Sequence, residues 1–415
     1  MKLLLKNIKG LVQVRDESMR KVAGKDMNIL PVLENSYLAI EDGIIVDFGL
    51  MADWEGISDW RDLEIIDCEG KYVFPCWVDS HTHVVFAGSR EQEFEDRING
   101  LSYEEIAARG GGILNSADKL RAATHEELYQ SAKQRIDEMI RLGTGAVEIK
   151  SGYGLDLKSE LKMLRVIREL KETLPVTIKA TFLGAHAVPR ELQGSREKYL
   201  ELIKNEMLPA IAAEQLADYC DIFCERNYFT PEETIDLMEA AHQYGMIPKV
   251  HANQLSKSGG VQAGVAVNAI SVDHLEYVEE DEINSLLNSS TMPTVLPGAQ
   301  FFLNLPKPPV RKMIDSGLPI ALATDYNPGS SPSGNMNQMV SFGCILYNMT
   351  PNEAINAATL NTAYAMNLSH ELGSITRGKK ANVFITRVMP SVAFLPYSFG
   401  IDQIETVILN GKIIA

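Results

Sequence analysis

The middle of the chain alternates short apolar runs with longer amphipathic segments. Eight apolar runs lie at residues 72–78, 145–150, 177–183, 218–224, 248–250, 270–272, 292–296 and 319–324. Between them, apolar residues recur every three or four positions, which is typical of helices that bury one face. These patterns cover residues 126–142, 159–173, 197–216, 231–244, 259–267, 279–288 and 309–316. Eight strand-like runs, each but the last followed by a helical segment, span roughly 250 residues and predict an α/β fold of the TIM type, a (β/α)8 barrel.

A doubly wound open sheet is the structural alternative to the barrel. The count of eight units disfavours it, and no Gly-x-Gly-x-x-Gly motif follows any of the runs.

The two ends of the chain have the pattern of short β-strands. Residues 38–40 and 44–46 flank Glu41-Asp42-Gly43, which is a hairpin turn signal. Residues 406–409 similarly precede an Asn-Gly turn. We therefore expect a small β-sandwich-like domain formed jointly by residues 1–72 and 366–415, with the barrel spanning 73–365.

Composition and charge narrow the classes of function. The 39 basic and 55 acidic residues give a net charge of −16, which disfavours broad binding to nucleic acid or to an anionic membrane. Five cysteines are too few and too scattered for a disulfide framework. Lys6 and Lys9 interrupt any signal peptide, and no apolar run reaches the ~18–20 residues of a membrane span. We expect a cytoplasmic protein with a small-molecule partner, and a homodimer is left open.

Histidines collect where the predicted strands end. Active sites of (β/α)8 barrels lie at the carboxyl ends of the strands. Five of the eight histidines follow a predicted strand, whereas the other three are scattered over the helical segments. Asp325 follows the eighth run. The convergence predicts a site at this end of the barrel, with the histidines 81, 83, 186, 251 and 274.

A metal centre is the chemistry that these residues favour. His81 and His83 are two positions apart on a strand, so both imidazoles point to the same side. Together with His251 and Asp325, they form a set of three imidazoles and one carboxylate, which suits zinc or iron and suits magnesium poorly. We predict one ion, with zinc preferred and iron as the alternative. The competing interpretation is a set of hydrogen-bonded core histidines.

Several motifs resemble the metal-dependent amidohydrolase superfamily. The resemblance is carried by Asp79-Ser80-His81-Thr82-His83, by His251 three residues before Gln254, by His274 and by Asp325. Four longer segments resemble one branch of that superfamily: 79–90 (DSHTHVVFAGSR), 148–155 (EIKSGYGL), 182–189 (FLGAHAVP) and 323–332 (ATDYNPGSSP). The similarity covers nearly the whole chain, including its β-rich ends.

The resemblance implies an enzyme of histidine degradation, which hydrolyses 4-imidazolone-5-propanoate to N-formimidoyl-L-glutamate. A bound metal lowers the pKa of water to ~7 and so provides a nucleophile at neutral pH. The resemblance implies that Asp325 both binds the metal and takes the proton of the water. His274 would stabilise the oxyanion that develops at the ring carbonyl.

The resemblance also implies a set of substrate-binding residues. Arg90, in the loop after the first strand, matches a propanoate with a two-pronged hydrogen bond. Tyr153 and His186 are expected to hold the same side of the substrate. The segment from Asn327 through Gly329 and Ser330 is expected to offer backbone N–H groups and hydroxyls to a polar ligand.

Gln254 departs from a common pattern of the superfamily. Many deaminases and some members of the branch carry a glutamate at this position, which shuttles protons. Glutamine cannot accept a proton near pH 7, but it can form hydrogen bonds with the imidazolone edge. The glutamine disfavours a deaminase, which is the rival enzyme class. A metal-free scaffold is the rival outside enzymes, and the presence of all four predicted ligands disfavours it.

Structural roles compete with functional ones at several of these positions. Arg90 has neighbouring glutamates with which it could form a surface ion pair. Lys150 and Glu225 follow strands and could be structural charges in the barrel mouth. The glycine run 110–112 is interpreted as a loop over the mouth rather than a phosphate-binding loop, because it does not follow a strand.

Overall fold

Strands from both ends of the chain form one mixed sheet. The computed structural model describes residues 2–57, 61–101, 105 and 111–414. This sheet contains β1 (Lys2–Val12), β2 (Val32–Glu41), β3 (Ile44–Leu50), β4 (Leu63–Asp67) and β5 (Tyr72–Pro75). Its order runs from strands near the carboxyl terminus through β5, β1 and β2 to β3, while β4 pairs separately with β1. At the predicted hairpin, Asp42 and Gly43 have φ angles of 48° and 84°, as a tight β2–β3 turn requires.

The barrel contains eight parallel strands. They are β6 (Trp77–Thr82), β7 (Thr144–Lys150), β8 (Thr177–Ala185), β9 (Tyr219–Cys224), β10 (Ile247–Ala252), β11 (Ser271–His274), β12 (Met292–Val295) and β13 (Ala321–Leu322). The mixed sheet is completed by β14 (Val383–Thr386), β15 (Ile404–Leu409) and β16 (Lys412–Ile413). The barrel strands pair in sequence order from β6 to β13. The predicted fold class is therefore confirmed.

Helices connect the barrel strands and follow the last of them. They are α1 (Glu91–Ile98), α2 (Ile113–Ala122), α3 (His125–Arg141), α4 (Leu157–Thr173), α5 (Arg196–Leu202), α6 (Leu208–Ala213), α7 (Pro231–His242), α8 (Gly260–Ala266), α9 (Glu280–Leu287), α10 (Pro297–Leu303), α11 (Val310–Asp315), α12 (Met336–Tyr347), α13 (Pro351–Ala358), α14 (Leu360–Ala365) and α15 (Phe394–Tyr397). None of these described helices combines the length and the apolar character needed to cross a lipid bilayer.

Some predicted elements differ from the structure. The run at 72–78 is two strands, because β5 joins the mixed sheet and β6 starts the barrel. The helix predicted over 197–216 is interrupted by a π-helical turn at Ile203–Met207. The helix α13 was not predicted, although Thr350, Pro351 and Glu353 are a helix-start signal and form a capping box. The domain boundaries at 72/73 and 365/366 stay a prediction.

The glycine run 110–112 is described only in part. Gly110 lies outside the described residues. Gly112 has a φ of 85°, precedes α2, and donates its backbone N–H to Glu93 Oε1 at 2.9 Å.

Candidate active site and metal centre

The barrel closes where its first strand, β6, meets the segment that follows its last strand, β13. β13 is short, and the chain continues alongside β6, where Asp325 N donates to His81 O at 3.0 Å. His83 N donates to Tyr326 O at 2.8 Å. Asp325 has a φ of 53°, a backbone conformation that turns its side chain away from a regular strand path. The Asp325 carboxylate consequently lies 3.6 Å from His81 Nε2 and 3.5 Å from His83 Nε2.

The predicted ligands meet in two overlapping groups. Donor atoms of His81, His83 and Asp325 lie within 4.8 Å of one another, and so do those of His81, His251 and His274. His81 belongs to both groups, and its ring centre is 4.4 Å from that of His251. All five residues are buried. The structure therefore brings the four predicted ligands together and adds His274 at the same point.

The chemistry of these side chains fits a metal ion. His81 Nε2 and His251 Nε2 are buried and have no hydrogen-bond partner among the described residues. A buried polar atom without a partner is costly, and coordination to a metal would satisfy it. Burial, together with nearby positive groups, holds the pKa of His81 and His83 well below its usual value. Both imidazoles are therefore neutral, which is the form that binds a metal.

Two carboxylates orient the histidines from behind. Asp273 Oδ2 lies 2.6 Å from His81 Nδ1, and Asp221 Oδ2 lies 2.9 Å from His251 Nδ1. A carboxylate at Nδ1 directs Nε2 toward the centre of the site and raises the basicity of the ring. Sequence analysis identified neither Asp273 nor Asp221 in this role.

A buried lysine links the carboxylates. Lys150 Nζ lies 2.6 Å from Glu148, 2.8 Å from Asp221 and 3.9 Å from Asp273. Burial alone would lower the pKa of Lys150, but the carboxylates raise it, so the side chain is charged. Burial would raise the pKa of Asp221, yet His251 and Lys150 lower it well below its usual value. These contacts support a structural role for Lys150, which neutralises the buried carboxylates around it.

His274 is paired with a second acidic residue, Glu276. Its Nδ1 lies 3.8 Å from Glu276 Oε1, and both residues are buried. Burial lowers the pKa of His274, but Glu276 and the nearby Asp325 outweigh burial and raise it. His274 has a φ of 89°, a strained conformation for a residue with a side chain. The arrangement favours a protonated imidazole that faces Asp325.

A cavity of ≈ 490 Å³ opens above these residues. Tyr153 and His186 form one wall, and the His186 ring stacks on His83 with ring centres 5.3 Å apart. Burial lowers the pKa of His186 to about 3, and its Nδ1 is 3.1 Å from Gly152 O. The buried carboxylate of Glu160 accepts N–H groups from residues on both sides of Tyr153, and this shapes the loop. Sequence analysis did not identify Glu160.

Arg90 combines its two alternative roles. It lines the cavity, and its Nε donates to Glu93 Oε2 at 2.9 Å. Its Nη1 lies so close to Gly329 that a Cβ there would overlap it. Glu93 also accepts the backbone N–H of Gly112. The ion pair therefore fixes Arg90 within the cavity wall rather than drawing it out to the surface.

The Asn327 segment differs from its predicted chemistry. The backbone N–H groups of Gly329 and Ser330 both donate to Asn327 Oδ1 at 2.8 Å. In this structure the side chain of Asn327 accepts both of these N–H groups, and the assignment of Asn327, Gly329 and Ser330 to substrate binding stays a prediction. The Ser330 hydroxyl lies 2.7 Å from Asn327 Nδ2 and 3.3 Å from Asp325 Oδ2. The Ser330 hydroxyl thus donates a hydrogen bond to Asp325, and the missing side chain of Gly329 leaves space for the Arg90 guanidinium.

Glu225 holds the loop that carries Gln254. One carboxylate oxygen accepts Leu255 N at 2.8 Å and Ser256 N at 3.3 Å, and the other bonds to the Ser256 hydroxyl. Among the described residues, the partners of Glu225 are backbone N–H groups and a hydroxyl rather than a cation, so its charge holds this loop. Gln254 lines the cavity and is 9% exposed.

The fold and the site together define a hydrolase of the amidohydrolase class. The model of the amidohydrolase family matches residues 72–414, so the chain belongs to this family. An Escherichia coli guanine deaminase has the same fold, with a TM-score of 0.76, 14% identity, and coverage of 100% of this chain and 99% of that one.

Sequence relatives place the chain more narrowly. It is 54% identical over 414 residues to the imidazolonepropionase of Christiangramia forsetii, covering 100% of both chains. It is also 54% identical over 411 residues to the imidazolonepropionase of Flavobacterium johnsoniae, covering 99% of both. Within the amidohydrolases, the chain thus belongs with the imidazolonepropionases.

Proposed function

We propose that the enzyme hydrolyses 4-imidazolone-5-propanoate to N-formimidoyl-L-glutamate. One observation carries the proposal beyond the family resemblance. A single cavity joins a floor of imidazoles and a carboxylate to a wall that holds an arginine. The floor suits hydrolysis of a cyclic amide, and the arginine suits a substrate that carries a carboxylate.

We infer that His81, His83, His251 and Asp325 hold one metal ion, with zinc preferred over iron. The bound ion would act as a Lewis acid, lowering the pKa of water to ~7 and polarising the ring carbonyl. Three imidazole nitrogens and one carboxylate oxygen match the ligands of zinc or ferrous iron. Donor atoms of His274, His81 and His251 also lie within 4.8 Å of one another. The proposal assigns His274 to the substrate carbonyl and not to the metal.

Two residues move or hold protons during the reaction. Asp325 accepts a proton as water adds to the carbonyl carbon, and burial raises the pKa of its carboxyl, which makes it a stronger base. His274, whose pKa is raised by Glu276 and Asp325 against the effect of burial, donates a hydrogen bond to the carbonyl oxygen as negative charge develops there. When the C–N bond breaks, the leaving nitrogen takes the proton held by Asp325, which restores the starting state.

The remaining polar groups orient the substrate. Arg90 receives the propanoate, and Glu93 restricts the rotamers of its guanidinium. Tyr153 and His186 hold one side of the ring, and neutral His186 has one nitrogen anchored near Gly152. Gln254 meets the N–C=O edge, held there by the Glu225 contacts to its loop. We also propose a cytoplasmic location.

Metal analysis combined with turnover tests the function. Purified protein should contain about one zinc or iron per chain and should consume imidazolone propanoate without releasing ammonia. Chelation should abolish turnover but leave the fold largely intact, because the ligands lie at strand ends and not in the core. Cooperative unfolding at room temperature on adding chelator would contradict this. Ammonia release from an amino-substituted heterocycle, without opening of the imidazolone, would indicate a deaminase instead.

A further inference from the structure

The cavity contains a second arginine, to which the proposed reaction gives no role. Arg97 lines the same cavity as Arg90 and lies seven residues after it, near the end of α1. Seven residues are about two helical turns, so the two side chains emerge on the same side. Glu93 lies between them and is held by Arg90. The helix α1 and Arg90, the residue that precedes it, therefore present two positive charges and one negative charge to the cavity.

Arg97 has an aromatic contact and, among the described residues, no ion-pair partner. Its guanidinium carbon is 4.8 Å from the ring centre of Phe302, and that ring stacks on Phe94 at 5.2 Å. Within the ranges that the structure describes, no ion pair joins Arg97 to a carboxylate. Burial and the neighbouring Arg90 lower the pKa of Arg97, and Glu93 acts in the opposite direction. Stacking on Phe302 thus fixes the plane of a guanidinium whose charge is not neutralised by an ion pair.

We propose that Arg97 is an outer carboxylate-binding residue, which captures the anionic substrate at the cavity mouth before the carboxylate reaches Arg90. The inference rests on the function proposed above, because it takes the propanoate as the ligand. A chain with a net charge of −16 repels an anion at long range, so local positive charge must guide it inward. A planar guanidinium also matches both oxygens of a carboxylate.

Ionic strength distinguishes capture from tight binding. In Arg97→Ala we expect kcat/KM for imidazolone propanoate to fall roughly 3- to 10-fold at low salt, with the loss in KM rather than kcat. The loss should shrink toward zero near 1 M salt, where the screening length is about 3 Å. Arg97→Lys keeps the charge and should recover most of the salt-dependent part. Circular dichroism should show both variants folded, because α1 has no buried residues.

Two controls keep the inference falsifiable. Arg168→Ala removes one positive charge from α4, where Arg168 pairs with Glu214 at 3.8 Å, and should not change the salt dependence. An imidazolone lacking the propanoate should be hydrolysed equally by wild type and Arg97→Ala. The inference is overturned if Arg97→Ala matches Arg168→Ala, or if both substrates slow equally. Failure of the wild-type enzyme to hydrolyse imidazolone propanoate would overturn the proposed function itself.

Discussion

The floor of the cavity lies on strands, whereas its rim lies on loops and on one short helix. At the floor, His81 and His251 are backed by Asp273 and Asp221, and Lys150 links the two carboxylates. Each of these side chains is almost completely buried. A network of this kind has no solvent to compensate for a lost partner, so it holds its geometry within narrow limits.

The rim is built from shorter-range contacts. Arg90 and Glu93 are three residues apart and retain exposed fractions of 14% and 12%. Asn327 closes its own segment through hydrogen bonds to the next residues. Local contacts of this kind can change without disturbing the barrel, which is how one fold accommodates many substrates. Floor variants should therefore lose the chemistry or the fold, and rim variants should lose affinity and specificity.

The largest expected effect is at Asp325. Asp325→Asn should retain some metal but lose kcat by ~10²- to 10⁴-fold, because an amide cannot accept the proton of water. Steady-state kinetics on samples with measured metal content would test this. A metal-loaded variant with near-wild-type kcat would show that another residue accepts the proton of water, and His274 would be the first candidate.

Lys150→Met tests the floor through stability. The substitution removes the lysine that Glu148 and Asp221 share and leaves Asp221 as a buried charge without a lysine partner, while Glu148 keeps Lys249, so the free energy of unfolding should fall by ~3–5 kcal/mol. Urea denaturation would measure it. Lys133→Met is a matched control, because Lys133 and Asp137 form a pair that is 38% and 36% exposed, and the expected loss is only ~0–1 kcal/mol. Equal losses in the two variants would contradict the contrast between floor and surface.

Much of the site could be predicted because strand order fixes it. His81, His83, His251 and Asp325 each follow an apolar run, and the carboxyl ends of parallel strands meet at one end of a barrel. The supporting network was harder to find, since its partners lie far apart in sequence. A signal did exist: Lys150 and Asp221 interrupt or end apolar runs whose strands are buried on both faces.

The rim could be predicted less completely, because loop geometry depends on contacts that no periodicity records. The sequence pattern does not show that Asn327 uses the N–H groups of its own segment. Nor does it show that Glu225 accepts backbone N–H groups from the Gln254 loop. In both cases a side chain of the right chemistry was identified, but its partner was not.

Arg90 is the main test of the rim. Arg90→Ala removes a charge-assisted hydrogen-bonded contact worth ~1.5–3 kcal/mol, so kcat/KM should fall ~10- to 150-fold. Lysine should recover only part of the loss, since it cannot match both carboxylate oxygens. Wild type should hydrolyse an imidazolone without the carboxylate poorly, and Arg90→Ala should hydrolyse it equally well. If the variant slows both substrates to the same extent, Arg90 is structural.

The smallest effect is expected at Glu93, and it depends on pH. Burial would raise the pKa of Glu93, but Arg90 and the Gly112 N–H outweigh burial and hold it below its ordinary 4.5. A carboxyl with a lowered pKa stabilises the fold above its unfolded pKa, and this contribution is lost as pH falls through the folded value. Glu93→Gln should therefore lower the free energy of unfolding by about 1 kcal/mol at pH 7 and by less below pH 4.5.

A double-mutant cycle ties this small effect to the rim. If Glu93 acts by holding Arg90, then Glu93→Gln should cost less stability in an Arg90→Ala background than in wild type, because the shared contact is already gone. Denaturant unfolding of the four proteins at pH 7 and pH 4 supplies the comparison. Additive losses would show that Glu93 acts through Gly112 and the neighbouring loop rather than through Arg90. In that case the rim arginine would be positioned by its approach to Gly329 alone, and its ion pair would be incidental.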